Sequence, residues 1–190
     1  MEQTQNDRAK ADEPLRRRTI VLVGLMGAGK TSVGKRLAAE LNMPFCDGDD
    51  EIERAAGLTI PEIFELYGEQ RFREGERRVM ERLLNGPPHV LATGGGAFMD
   101  ENTREAIRKN AVSVWLKADV DVLAKRVGRK DTRPLLAGQD PREVLTQLAA
   151  IREPVYALAD LTIESGDRPH AATVAAIIDG LTALAEKEPS

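Results

Sequence analysis

The sequence has little that would suit a secreted, membrane-bound or nucleic-acid-binding protein. Cys46 is the only cysteine, so no disulfide can form within the chain and no cysteine-rich metal site is available, as expected in a reducing cytoplasm. No apolar run approaches the roughly 18 residues of a membrane-spanning helix, and the N-terminus lacks the apolar segment of a secretory signal. The net charge of −4 gives no overall basic field for nucleic acid. We therefore expect a cytoplasmic protein with neither a membrane nor a nucleic-acid partner.

The rest of the composition is that of one globular domain. The chain has 190 residues, of which 42% are hydrophobic and 31% are charged, enough for a substantial core. Residues 1–17 are polar and aperiodic, which predicts a disordered arm ahead of a single domain at residues 18–186. Arg16, Arg17 and Arg18 are either a nucleic-acid or membrane contact or, more simply, a solvated approach to the first strand.

Short apolar segments alternate with stretches of helical periodicity. Val33, Leu37 and Leu41, for example, share one helical face. Five segments are predicted strands, at residues 20–23, 45–46, 90–92, 112–116 and 161–163. Strands separated by helices predict a three-layer α/β domain, in which helices flank a five-stranded parallel sheet.

Residues 24–31, GLMGAGKT, match the phosphate-binding pattern G-x-x-x-x-G-K-[ST] between a predicted strand and a predicted helix. The glycines allow backbone amides to approach phosphates, and the helix directs its positive end at them. Lys30 would bridge the β- and γ-phosphates, and the Thr31 hydroxyl would bind Mg²⁺. The N-K-x-D element of guanine-specific switch proteins is missing, which favours ATP and a metabolic kinase of the P-loop fold.

Two carboxylates, Asp47 and Asp49, follow the second predicted strand, where ligands bind in open α/β sheets. One can support Mg²⁺ and the other can accept a proton from an acceptor hydroxyl. An Asp-Gly pair is also common in ordinary turns. The adjacent acids Asp50 and Glu51 make it harder to assign the two roles to particular carboxylates.

Arg73 and Glu76 lie three residues apart on a predicted helix and therefore share a face. Glu76 can hold the guanidinium for a bidentate contact with a substrate carboxylate, or the two can form a plain surface ion pair. Gly94, Gly95 and Gly96 offer backbone amides after the third strand, although a tight turn explains them equally well.

A basic stretch follows the fourth strand and contains Arg126, Arg129, Lys130 and Arg133. We interpret residues 126–140 as a mobile lid that brings cations to ATP, with a solvated loop as the alternative. Arg152 lies in the next predicted helix, which Pro154 is expected to stop or kink.

Taken in order, these motifs resemble the shikimate kinase family over residues 18–185. The resemblance implies ATP-dependent phosphorylation of the 3-hydroxyl of shikimate, in the pathway to chorismate and the aromatic amino acids. It also implies a monomer. Gluconate kinase is the alternative within P-loop enzymes, but it is not expected to combine Arg73 and Glu76 with the triple glycine. A regulatory module without catalysis is the other alternative, and it should have lost Lys30, Thr31 or Asp49, which are all present.

The resemblance also implies a role for each matching residue. Those implied to hold ATP are Gly27, Ala28, Gly29, Lys30, Thr31, Ser32, Arg126 next to adenine, Arg133 from the lid and, across a one-residue gap, Arg168. Those implied to bind shikimate are Asp49, Arg73, Gly94, Gly95, Gly96 and Arg152, with the two arginines on its carboxylate. Thr31 and, through water, Asp47 are implied to hold Mg²⁺. Lys30, Asp49 as the base and Arg133 are implied to be catalytic.

Overall fold

The computed structural model describes residues 14–127 and 140–187. In these two ranges, one parallel sheet of five strands has the order β2-β3-β1-β4-β5. The strands are β1 (Thr19–Val23), β2 (Phe45–Asp47), β3 (Val90–Ala92), β4 (Ala111–Lys117) and β5 (Leu161–Glu164). Each of the predicted strands is therefore present, with ends that differ by at most one residue.

Helices connect the strands and flank the sheet. They are α1 (Lys30–Glu40), α2 (Gly48–Ala56), α3 (Ile60–Leu84), α4 (Glu101–Asn110), α5 (Val120–Val127), α6 (Pro141–Tyr156) and α7 (His170–Ala185). Helix α1 packs against α7, α3 against α2 and α4, and α5 against α6. The three-layer α/β fold predicted from the sequence is confirmed.

The central strands are almost wholly apolar because helices cover the sheet. Val21, Leu22 and Val23 of β1 are fully buried, as are Leu91 of β3 and Val114 of β4. This rigid centre fixes the carboxyl ends of β1, β2 and β3 close together. Within the described ranges no helix is both long enough and apolar enough to cross a membrane.

Local capping groups start two of the helices, and of the two outcomes expected at Pro154 a stop does not occur. Thr59 and Glu62 form a complete capping box at the start of α3, and Asp140 caps α6. Gly68 has φ 76° and breaks α3 into two helical segments. Pro154 does not stop α6, which continues to Tyr156. A proline in the last turn removes only one helical hydrogen bond, and packing of the following tyrosine outweighs that loss.

The predicted N-terminal arm is too long by several residues. Pro14–Arg17 form a turn of 3₁₀ helix that packs against α7, and Leu15 is buried in the core. Arg18 donates a hydrogen bond of 2.7 Å to the carbonyl of Ala111. The buried leucine, the packing against α7 and this hydrogen bond attach the turn to the domain. Residues 1–13 and most of the predicted lid, with Arg133 in residues 128–139, lie outside the described residues.

Candidate active site

The loop between β1 and α1 has the backbone geometry that its glycines predict. Gly24, Gly27 and Gly29 have φ of 139°, 83° and 90°, values that side-chain-bearing residues rarely adopt. A methyl group on Gly24 would lie 2.7 Å from the carbonyl oxygen of Leu116, so backbone crowding also requires glycine there. Gly29 is the N-cap of α1, and the free amides of that helix therefore face the loop.

Lys30 and Thr31 have different hydrogen-bond partners. The Lys30 ammonium group donates to the carbonyls of Gly24 and Leu25 at 2.8 and 2.9 Å, which holds it over the loop. The Thr31 hydroxyl donates to Oδ2 of Asp47 at 2.8 Å. The other carboxylate oxygen of Asp47 caps α2 by accepting from the amide of Asp49 at 3.1 Å. Asp47 therefore links the loop to the helix that carries Asp49.

A cavity of about 370 Å³ lies above the loop and contains most of the residues predicted to bind a nucleotide. Its wall includes Gly27, Gly29, Lys30, Thr31, Ser32, Asp47, Asp49, Arg126 and His170. The Arg126 guanidinium donates to the carbonyls of Gly27, at 3.2 Å, and Gly166, at 2.5 Å. This arginine thereby joins the phosphate loop to the loop after β5.

The wall of this cavity contains His170, which was not predicted, and does not contain Arg168, which was predicted. Arg168 is exposed in the loop between β5 and α7 and does not line the cavity. His170, two residues later, does line it, although no sequence motif pointed to this residue. The available signal was its place at the start of a helix that follows the last strand, on the same sheet edge as the phosphate loop.

A second cavity, of about 570 Å³, shares Met26, Asp49, Gly94 and Gly95 with the first. Further wall residues include Phe64, Phe72, Arg73, Glu76, Gly96 and Arg152. Asp49 stands at the junction of the two cavities. The structure thus brings together the described residues that were predicted to bind the acceptor, including both arginines.

Arg73 is held in place by its own helix. Its guanidinium donates to Glu76 at 2.7 Å and to Glu69 at 3.4 Å, and it lies 5.1 Å from the centre of the Phe72 ring. Glu76 is only 5% exposed, so the pair is no ordinary surface ion pair. Burial raises the pKa of the Glu76 carboxyl, while Arg73 opposes that rise and the nearby Asp49 adds to it.

The triple glycine allows three charged side chains to approach the backbone after β3. A methyl group on Gly94 would lie 2.7 Å from Oδ1 of Asp49, and one on Gly95 would lie 3.0 Å from Nη1 of Arg152. One on Gly96 would overlap the guanidinium of Arg73. The glycines are therefore needed for space as well as for a turn, a requirement that became visible only in the fold.

Tyr156 is a site residue that sequence reasoning missed. Its hydroxyl donates to the carbonyl of Gly95, and its fully buried ring lies 6.0 Å from that of Trp115 and 6.4 Å from that of Phe98. Burial raises the pKa of the phenol, although Arg152 opposes the rise. Arg152 and Tyr156 are four residues apart on α6, and this spacing was the signal available in the sequence.

Comparison with known proteins agrees with this geometry. A family model described as shikimate kinase matches residues 26–182. A shikimate kinase of Caulobacter vibrioides strain NA1000 is 61% identical over 168 residues, which cover 88% of this chain and 84% of the relative. A crystallised shikimate kinase from Acinetobacter baumannii, in complex with shikimate, has a TM-score of 0.85 and 38% identity, and the match covers 94% of this chain and 99% of that one.

The fold alone is shared more widely. A gluconokinase from Sinorhizobium meliloti has a TM-score of 0.59 at 23% identity, covering 90% of this chain and 95% of that one. The stronger matches decide between the two families that the sequence left open. The chain belongs to the shikimate kinase family.

Proposed function

We propose that the chain transfers the γ-phosphoryl group of ATP to the 3-hydroxyl of shikimate, in the route to chorismate and the aromatic amino acids. The observation that carries this proposal is the position of Asp49, at the junction between a phosphate-loop cavity and a cavity lined by two arginines. Phosphoryl transfer needs a base at the point where donor and acceptor meet.

The phosphate loop provides the nucleotide side. Amides from Gly27 to Ser32 bind the β- and γ-phosphates, and the Lys30 ammonium stabilises the negative charge that develops during transfer. Arg126 already joins the two loops that border the cavity and supports adenine there. These assignments agree with the free amides at the start of α1 and with the position of Lys30 over the loop.

The donor atoms fit Mg²⁺ bound together with a nucleotide. The Thr31 hydroxyl and the Asp47 carboxylate are 2.8 Å apart, and oxygen donors are those that Mg²⁺ prefers. In the described part of the chain no group of three or more His, Cys, Asp or Glu residues forms a protein-only metal cage. Thr31 and, through water, Asp47 would hold the ion, and when bound it neutralises charge on the transferring phosphates.

The second cavity provides the acceptor side. Arg73 and Arg152 bind the carboxylate of shikimate, and backbone groups of Gly94, Gly95 and Gly96 lie along the bound ring. Glu76 keeps the Arg73 guanidinium in one plane, which favours a bidentate contact. Tyr156 fixes the carbonyl of Gly95 beside Arg152.

In the transfer step, Asp49 accepts the proton of the 3-hydroxyl as its oxygen bonds to the γ-phosphorus. The bond between that phosphorus and the β,γ-bridging oxygen breaks, and ADP leaves. Lys30 stabilises the charge on this leaving group. All of these residues belong to one chain, which is consistent with a monomer. A cytoplasmic location stays a prediction.

The direct test is a coupled assay of ADP release with shikimate, with gluconate and with no acceptor. We expect rapid release only with shikimate, and phosphorus NMR should identify a 3-phosphate product. Faster release with gluconate would favour the alternative sugar-acid kinase. Equal release in all three reactions would mean that the chain hydrolyses ATP without transferring it.

A further inference from the structure

His170 is an ionisable residue of the phosphate-loop cavity to which the proposed function gives no role. It is the first residue of α7, directly after the N-cap Pro169. Its Nε2 atom would lie 3.7 Å from a methyl group on Gly29, the glycine that caps α1. The imidazole therefore forms part of the wall against which a nucleotide would bind.

The loop that positions His170 is tied to the phosphate loop. Arg126 donates to the carbonyls of both Gly27 and Gly166, and Gly166 lies four residues before His170. Ser165 is buried, and its hydroxyl lies 3.1 Å from the carbonyl oxygen of Lys117 and 3.4 Å from that of Ala28 in the phosphate loop. These contacts hold the start of α7 close to the phosphate loop. His170 is therefore a fixed part of the cavity wall.

Arg36 and Arg126 are the charged groups that act most strongly on His170, and Asp167 and Arg168 are exposed on the loop before it. Partial burial, Arg36 on α1 and Arg126 on α5 all lower the pKa of its imidazole. The positive end of α7 acts in the same direction. The other charged residues of this cavity wall are Lys30, Asp47 and Asp49. With no anion in the cavity, the imidazole is therefore a weaker base than an ordinary histidine side chain.

We infer that His170 contacts the bound nucleotide and that the binding of ADP or ATP takes up a proton at this imidazole. The inference rests on the proposed function, because it requires the nucleotide to occupy the phosphate-loop cavity. Nucleotide phosphates bring several negative charges into the cavity whose wall His170 shares with Lys30 and Arg126, and these charges offset the effect of Arg36 and Arg126 on the imidazole. The phosphates also offer acceptor oxygens to an imidazolium N–H.

The sign of the pH effect follows from this linkage. Nucleotide binding raises the pKa of His170 from its lowered value, so a proton is taken up between the free and the bound value. The contribution of His170 to nucleotide affinity is therefore largest at low pH and is lost as the pH rises through the bound value. The terminal phosphate of ADP also titrates, and comparison with a variant lacking the imidazole removes that effect.

Histidine NMR provides the first test, because the chain contains only two histidines. The second, His89, is buried directly before β3 and is hydrogen-bonded through Nδ1 with the carbonyl of Pro87. The spectrum of His170→Gln identifies which signal belongs to His170. The signal of His170 should titrate at a higher pH with saturating MgADP than without it. An unchanged titration with the nucleotide bound would overturn the inference.

The affinity for MgADP provides the second test. Binding can be followed by the fluorescence of Trp115, because it is the only tryptophan in the chain and lies next to Gly24 of the phosphate loop. We expect His170→Gln to raise the Kd about fivefold to tenfold near pH 6, and less near pH 8. Asp167→Asn, a charge change at an exposed position of the same loop, should leave the Kd unchanged.

A Kd for His170→Gln equal to that of wild type at both pH values would contradict a nucleotide contact. Failure of the wild-type chain to bind MgADP at all would instead contradict the proposed nucleotide site. The two failures are thus distinguishable in one set of titrations.

Discussion

The two halves of the active site are built in different ways. The proposed nucleotide half is a contiguous loop, residues 24–31, in which backbone angles and a helix start form most of the proposed binding surface. The acceptor half draws on α2, α3, the loop after β3 and α6, and it depends on charged side chains held by one another. A short stretch of sequence is thus enough to form the backbone surface of the first half. The side chains of the second half come together only when the whole domain folds.

The groups that hold the main cation of each half also differ. Backbone carbonyls hold Lys30, and carboxylates hold Arg73. Variants of the first half should therefore act mainly on phosphoryl transfer, and variants of the second half mainly on the acceptor. Asp49, which lines both cavities, should affect the chemical step most strongly.

Asp49→Asn should lower kcat by about 10²–10⁴, because an amide cannot accept the hydroxyl proton. Steady-state kinetics with both substrates saturating measure this loss. Asp50→Asn is the matched control, since Asp50 is adjacent and exposed and lines only the acceptor cavity, and we expect a much smaller effect on kcat. A change confined to the KM for shikimate would make Asp49 a binding residue only.

Lys30→Met should lower kcat by about 10²–10³, because one positive charge on the transferring phosphate is lost. Circular dichroism and thermal unfolding should show an intact fold, since the side chain is not part of the core. Lys35→Met on the exposed face of α1 controls for the loss of a charge. Retention of more than about a tenth of wild-type kcat would refute the role of Lys30.

Arg73→Lys should lower kcat/KM for shikimate about 10- to 100-fold and leave the Kd for MgADP unchanged. A single ammonium cannot reproduce the planar two-point contact of a guanidinium. Arg71→Lys on the same helix is the control, because its side chain is 72% exposed and pairs with Glu74. Equal losses in the two variants would argue against a carboxylate clamp.

Glu76→Gln should produce a milder, severalfold rise in the KM for shikimate, because it loosens Arg73 without removing it. The same substitution should raise the free energy of unfolding near pH 7. The pKa of Glu76 is raised in the folded chain, so the stability that its protonated form provides is lost as the pH rises through that value.

Denaturant titrations at several pH values can test whether Glu76→Gln gains stability while it loses affinity for shikimate. The stability advantage of Glu76→Gln should disappear as the pH falls below the ordinary range of a glutamate. A variant that is less stable than wild type at neutral pH would show that the ion pair with Arg73 outweighs the cost of burial.

Much of the fold and of the nucleotide half was predictable from the sequence. The apolar segments gave the strand positions because a buried parallel sheet needs continuous hydrophobic runs. The glycines and Lys30 define their loop by local backbone requirements. The burial of Leu15 and the continuation of α6 through Pro154 were not predictable, because tertiary packing decides both.

The acceptor half was predictable only in part. Arg73 and Glu76 were paired by helical spacing, but only the fold shows that Glu76 is buried next to Asp49. His170 and Tyr156 carry no motif, and their roles depend on which helix ends reach the sheet edge. Local sequence patterns do not reveal contacts between residues that are distant in the sequence.

The measurement that tests the two-half account most directly is a crossed comparison of Lys30→Met and Arg73→Lys. For each variant, the Kd values of shikimate and of MgADP are determined by equilibrium titration, alongside kcat. The account predicts that Lys30→Met keeps the shikimate Kd within about twofold of wild type, and that Arg73→Lys keeps the MgADP Kd within the same limit. If either variant weakens both ligands equally, the two halves are not separable and the account is contradicted.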